Sequence, residues 1–311
     1  WGAGNGNFTL VLVSDVFNNG NSMFSGQGRG YDILAAAVIY NQQMGGTNVT
    51  IGGYAFPYLH QNNILGVDSL DVDRAGLYAG LIDLKSDQWR FVYEVQMFEG
   101  SFEDGFLGNN IDIDPQFDMA ARVEFYPSFP FKVIAVEGGW AQGDDDGDTA
   151  DFEGNLLPFS GAFQIDNLLF KHMIPTIYQI DASVINAYYA RAWATLKLSD
   201  HWAWTPQALI AWNHETDSAV SPFDSGAFGI GIPATNVDDF LGVELESTLT
   251  WTIHPGVNMD FIGSIVFAGA GLEDLLEAQG AAIAEDSVGS AEDLPWAVQA
   301  RLMIYIDQFL K

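Results

Sequence analysis

The sequence predicts an all-β chain: a transmembrane, antiparallel, up-and-down β-barrel of about twelve strands. The pattern between Leu241 and Phe267 is the first reason. Leu241, Val243, Leu245, Leu249, Trp251 and Ile253 share one parity, broken by Ser247, while Gly242, Glu244, Glu246, Thr248, Thr250, Thr252 and His254 hold the other. A period of two marks a strand with one apolar face. Soluble strands average about 5–6 residues and a tilted membrane-crossing strand needs about 9–11, so a face this long points to a bilayer. The second reason is the contrast between two averages: 48% of the residues are hydrophobic, yet mean hydropathy is only +0.08. Alternation hides apolar surface in this way, and no stretch approaches the roughly 18–20 consecutive apolar residues of a spanning helix. The third reason is the spacing of Trp202 and Trp212, which lie ten residues apart on one face. At ~3.3 Å per residue and a tilt of ~45° they are separated by about 23 Å of depth, close to the ~25 Å apolar band between the aromatic girdles of outer-membrane barrels.

The same two-residue template places the elements in order. The first strand, Phe8 to Phe17, is apolar on both parities as far as Ser14 and Asp15, which leaves its facing open; the second and third run near Ile33 to Asn41 and Val49 to Tyr58. Tyr78 to Leu84 and Trp89 to Met97 form a hairpin over Lys85-Ser86-Asp87, with Arg90 and Glu94 opposite the apolar face of the second arm. Phe117, Met119, Ala121, Val123 and Phe125 make the apolar face of the sixth strand, with Asp118, Arg122 and Glu124 behind it. Pro127-Ser128-Phe129-Pro130 turns the chain into a seventh, Lys132 to Ala141. In the eighth, Ile185 to Leu198, one side carries Tyr189, Arg191, Trp193, Thr195 and Lys197. The ninth aligns Trp202, Trp204, Ala208, Ile210 and Trp212, and Pro206 on that parity must interrupt a ladder bond. The hairpin of 241–267 turns at His254-Pro255-Gly256, and the last strand runs from Trp296 to Ile306 with Arg301 on its polar side. Leu272 to Asp286 is rich in Leu, Ala and Glu and predicts a helix on the outer face.

Connections alternate between short and long, the pattern of short periplasmic turns and long outer loops, so one barrel domain over residues 1–311 is expected in a bacterial outer membrane with both termini periplasmic. Trp1 is not an initiator methionine and nothing near it resembles an export segment, so either a signal peptide has been removed or the start is missing, and removal is the expectation. The net charge of -30, with only 11 basic residues, argues against a nucleic-acid partner. With no cysteine there is neither a disulfide framework nor a thiolate site.

Leu241-Gly242-Val243-Glu244-Leu245-Glu246, running through His254-Pro255-Gly256 to Phe267-Ala268-Gly269, resembles the C-terminal part of the alginate-export family of outer-membrane barrels. The resemblance covers about 30 residues and rests on an acidic-apolar strand, a turn and a strand ending in an aromatic near glycine. It implies passive transport of an anionic polysaccharide or small solute through an arginine-lined pore.

The residues themselves leave two readings of the lumen open. Arg90, Arg122, Arg191 and Arg301 all fall on the non-lipid parity, helped by Lys197, beside Glu94, Glu124, Glu244 and Glu246. They form either a solute-contacting ladder or a set of ion pairs that holds a narrow barrel in shape. Either way the expected class is a porin-like channel, monomeric or weakly associating, with lipid and a small or polysaccharide solute as partners; a non-conducting barrel binding a surface partner through its long loops is the alternative. An outer-membrane hydrolase needs a Ser and a His within hydrogen-bond reach, and only Ser199 and His201 have that spacing, in a turn away from the outer rim, so no enzyme is expected. No cofactor is expected except calcium at an outer loop: Asp144, Asp146, Asp148 and Glu153 partly match a calcium-loop pattern, although Gln142 stands where its first Asp should be.

Overall fold

The computed structural model describes residues 7–17, 31–61, 71–103, 111–143, 151–152, 165–174, 177, 184–216, 237–283 and 294–304. Twelve long strands form one antiparallel up-and-down sheet in chain order: β1 (Asn7–Phe17), β2 (Tyr31–Met44), β3 (Thr47–Gln61), β4 (Asp71–Lys85), β5 (Trp89–Glu103), β6 (Ile111–Phe125), β7 (Phe131–Ala141), β9 (Ala187–Lys197), β10 (Trp202–Asn213), β11 (Phe240–His254), β12 (Val257–Ala268) and β13 (Trp296–Ile304). A two-residue strand, β8 (Asp151–Phe152), lies off this path and pairs in parallel with β6. Several strands outrun the alternation that predicts them: β4, β5 and β6 each have 15 residues. Apolar alternation marks only the part of a strand that meets lipid, whereas backbone pairing continues into the polar zone above it.

Every short turn sits at one rim. Gly45 and Gly46, both at positive φ (55° and 86°), make the two-residue turn between β2 and β3, where Met44 pairs with Thr47. The β9–β10 turn is tied by Ser199, whose hydroxyl accepts the backbone N–H groups of His201 and Trp202. At this rim Trp202 and Trp251 stack at 5.7 Å, and at the other end Trp212 lies 6.3 Å from Phe240, so aromatic pairs stand at both ends of the apolar face. Pro206 has its expected effect: the β9–β10 ladder keeps its register but skips Thr205 and Pro206, and the Thr195 and Thr205 hydroxyls meet at 3.0 Å beside the gap. Ser247, the polar break in the apolar parity of β11, accepts the Trp204 indole N–H at 2.8 Å.

One facing differs from the expectation. Leu241 shares the parity of the lipid-facing residues, yet it is fully buried. The β10–β11 register shifts between Ala211 and Trp212, and Gly242 takes φ 137°. This bulge turns Leu241 to the other side of the strand, beneath helix α1 (Ala270–Ile283), whose Leu272 and Leu275 are also fully buried. The helix predicted for the outer face therefore covers one end of the core. Below the bulge the alternation holds: Leu245 and Trp251 are exposed, and the Thr250 hydroxyl donates to Asp260 on the inner face. Arginine in place of Leu249 should cost about 2–4 kcal/mol near the bilayer midplane, whereas Thr250→Arg should be tolerated. Urea titration of the lipid-folded protein measures both, and equal losses would reverse the assignment of faces.

Candidate functional site

The inner face is identified by what docks on it. Residues 165–174 carry the run Ile165-Asp166-Asn167-Leu168-Leu169-Phe170, whose apolar members cannot stay in water without cost. They fold back against the strands: Ile165, Leu169, Phe170 and Ile174 are at most 1% exposed. Phe170 meets the Tyr189 ring edge-on at 6.2 Å, and the run shares one apolar cluster with Ala120, Leu209 and Val266. Asp166 shapes the segment locally. Its carboxylate accepts the N–H groups of Phe170 (2.8 Å) and Lys171 (3.1 Å), closing a single turn of π-helix over Leu169–Met173. Burial, and then the charge of Glu244 nearby, push the Asp166 carboxyl well above the usual carboxylate range.

Side chains from five strands hold this plug. The carbonyl of Ile165 accepts from Arg191 on β9 at 2.6 Å and from Gln207 on β10 at 2.7 Å. Glu244 on β11 accepts the backbone N–H groups of Asn167 (3.2 Å) and Leu169 (2.7 Å). The Asn167 amide donates to Ser264 on β12, and Lys171 reaches Gln299 on β13 at 3.4 Å. Contacts from β9 to β13 with one short segment require the sheet to curl around it, which makes the concave side a lumen. Against the opposite wall, β2 to β6, a cavity of about 280 Å³ stays open, lined among others by Ala37, Gly52, Tyr54, Ala79, Glu94 and Asp118.

The candidate residues are not one ladder but sit in separate places. All four arginines sit on the inner face and each meets a carboxylate: Arg90 with Asp83 at 2.8 Å, Arg122 with Glu124 at 3.0 Å and Glu137 at 3.6 Å, Arg191 with Glu137 at 2.9 Å, and Arg301 with Asp260 at 2.9 Å. Arg122, Glu137 and Arg191 stand directly opposite one another on β6, β7 and β9, as do Asp260 and Arg301 on β12 and β13. Arg191 also lies over the Trp193 ring at 4.7 Å, and Glu137 accepts the Tyr189 hydroxyl at 2.9 Å. Lys197 is at the short-turn rim, 2.6 Å from Asp200, and this bond holds the Asp200 carboxyl below its usual range. Glu244 is a plug anchor, and Glu246 beside it accepts the Thr248 hydroxyl at 3.1 Å. Glu94 faces the open cavity. Asp144, Asp146, Asp148 and Glu153 lie outside the described residues.

Sequence reasoning did not find the anchors Gln207, Ser264 and Gln299, nor the part played by Asp166 and Asn167. The available signal was an apolar run inside a long polar loop. Ser199 and His201 do not form a nucleophile and base: the Ser199 hydroxyl caps the turn, and the His201 ring Nδ1 lies 3.1 Å from the Thr252 carbonyl.

No family model and no curated relative matches the chain, and the alginate-export resemblance gains no support from that side. Among solved structures, the NanC porin matches at 6% identity over 75% of this chain and 81% of its own, with a TM-score of 0.31. OccK3 (OpdO) of Pseudomonas aeruginosa matches at 10% identity over 96% of this chain and 76% of its own, with a TM-score of 0.34. The copper transporter OprC matches at 11% identity and a TM-score of 0.43 over 86% of this chain, which spans 43% of that protein's length.

Proposed function

We propose that the chain is an outer-membrane channel for passive diffusion of small solutes, narrowed from within by residues 165–174. The single observation behind this reading is the asymmetric lumen, plugged against β9–β13 and open by about 280 Å³ against β2–β6. The proposed lining set is Arg90, Glu94, Arg122, Glu124, Arg191, Lys197, Glu244, Glu246 and Arg301. The anionic-polysaccharide version is the weaker one, because among the described residues Arg90, Arg122, Arg191 and Arg301 are each matched by a carboxylate and so make no free positive ladder. The depth to which Leu169 and Phe170 are buried favours a second reading, a closed barrel whose work is done at the surface. Single-channel conductance in a planar bilayer decides: discrete conducting steps support the channel, and their absence at any voltage supports the closed barrel.

Calcium binding by Asp144, Asp146, Asp148 and Glu153 is a separate proposal from their spacing. A site that binds only the folded protein raises its stability by mass action, so calcium should raise resistance to urea, and Asp144→Ala with Asp146→Ala should abolish the rise.

A further inference from the structure

We propose that the open half of the lumen prefers small cations, and that Glu94 sets the preference. This rests on the channel reading above and adds the class of solute to it. The path is the cavity against β2–β6, where Ala37, Gly52 and Ala79 leave space that larger side chains would fill. The plug is anchored on the opposite wall and does not neutralise this one.

What a solute meets there follows from how the charges are partnered. Among the described residues Arg90, Arg122, Arg191 and Arg301 each have a carboxylate within 3.6 Å, so the field of each is largely cancelled a short distance away. Glu94 is exposed to the cavity, and among the described residues no ion pair or hydrogen bond reaches it. An unmatched carboxylate in a narrow passage with low-dielectric walls acts over a distance comparable with the Debye length, ~8 Å at physiological salt, and walls of this kind focus its field along the path. A cation is drawn in and an anion is turned back. The net charge of -30 adds to the same sign outside the passage.

The test is reversal potential in a planar bilayer under a potassium chloride gradient. The native chain should favour potassium over chloride. Glu94→Gln should lower that permeability ratio at least about threefold, the effect of one unit charge about 5 Å from the ion path even at the dielectric of water. Because the chain has no cysteine, Glu94→Cys supplies a single thiol. Its thiolate displaces sulfinate from a methanethiosulfonate reagent and forms a mixed disulfide bearing the reagent's charge. An anionic reagent should restore the cation preference and a cationic one should reverse it. Chloride preference in the native chain, or a ratio indifferent to Glu94→Gln and to both reagents, overturns the proposal while leaving a channel. A native chain that never conducts overturns the channel reading, and this inference with it.

Discussion

Replacing Glu244 with alanine should open the lumen and raise single-channel conductance severalfold. Glu244 is 1% exposed and its two carboxylate oxygens accept the N–H groups of Asn167 and Leu169. Each buried donor left without an acceptor costs about 1–3 kcal/mol, so the anchoring of the plug weakens by about 2–6 kcal/mol. The strand itself loses less than the plug, because toward its neighbour β12 the Glu244 side chain gives up a bond to the Ser264 hydroxyl, which solvent or Asn167 can replace. Glu244→Gln keeps one acceptor oxygen and should give an intermediate conductance. Equal conductance in the native chain and both variants would mean that residues 165–174 do not limit the passage.

Glu137→Ala should lower stability by about 3–5 kcal/mol, because it removes the partner of a buried charge. The carboxylate is 2% exposed and serves three groups at once: Arg191, Arg122 and the Tyr189 hydroxyl. Arg191 is left with the Ile165 carbonyl and the Trp193 ring, neither of which carries a full negative charge. Urea titration of the lipid-folded variant measures the loss. Asp200→Asn is the control: it removes the partner of Lys197 in a pair open to solvent, and such pairs contribute little after side-chain entropy and screening. Similar losses at both sites would show that the Arg122-Glu137-Arg191 row is as well solvated as the rim.

The strand faces were legible from β5 onwards because lipid and lumen impose opposite chemistry on alternate residues. Trp204, Leu245, Phe261 and Leu302 need only their parity to be assigned, and all are exposed on the outer face. Leu241 could not be read in this way, since a single bulge at Gly242 changes parity without changing composition. The two readings of the inward arginines could not be separated either. Arg122 and Glu137 lie on adjacent strands, but that they stand directly opposite depends on a register set by turn geometry and side-chain packing together. The plug was the least legible part. Leu168, Leu169 and Phe170 have no periodic context, and their partners lie up to 128 residues away along the chain for the segment as a whole, as the bond from Lys171 to Gln299 shows.

The bulge at Gly242 also bears on the membrane that suits this chain. By turning Leu241 inward it ends the lipid-facing side of β11 at Val243, while Ile253 is the last apolar residue at the other end. Ten residues at ~3.3 Å and a tilt of ~45° give a hydrophobic height of about 23 Å, shorter than the ~30 Å hydrocarbon layer of an average bilayer. Such a mismatch costs fractions of a kcal/mol per Å and is relieved in thin membranes, among them the bacterial outer membrane. One glycine thus sets the acyl-chain length that β11 matches.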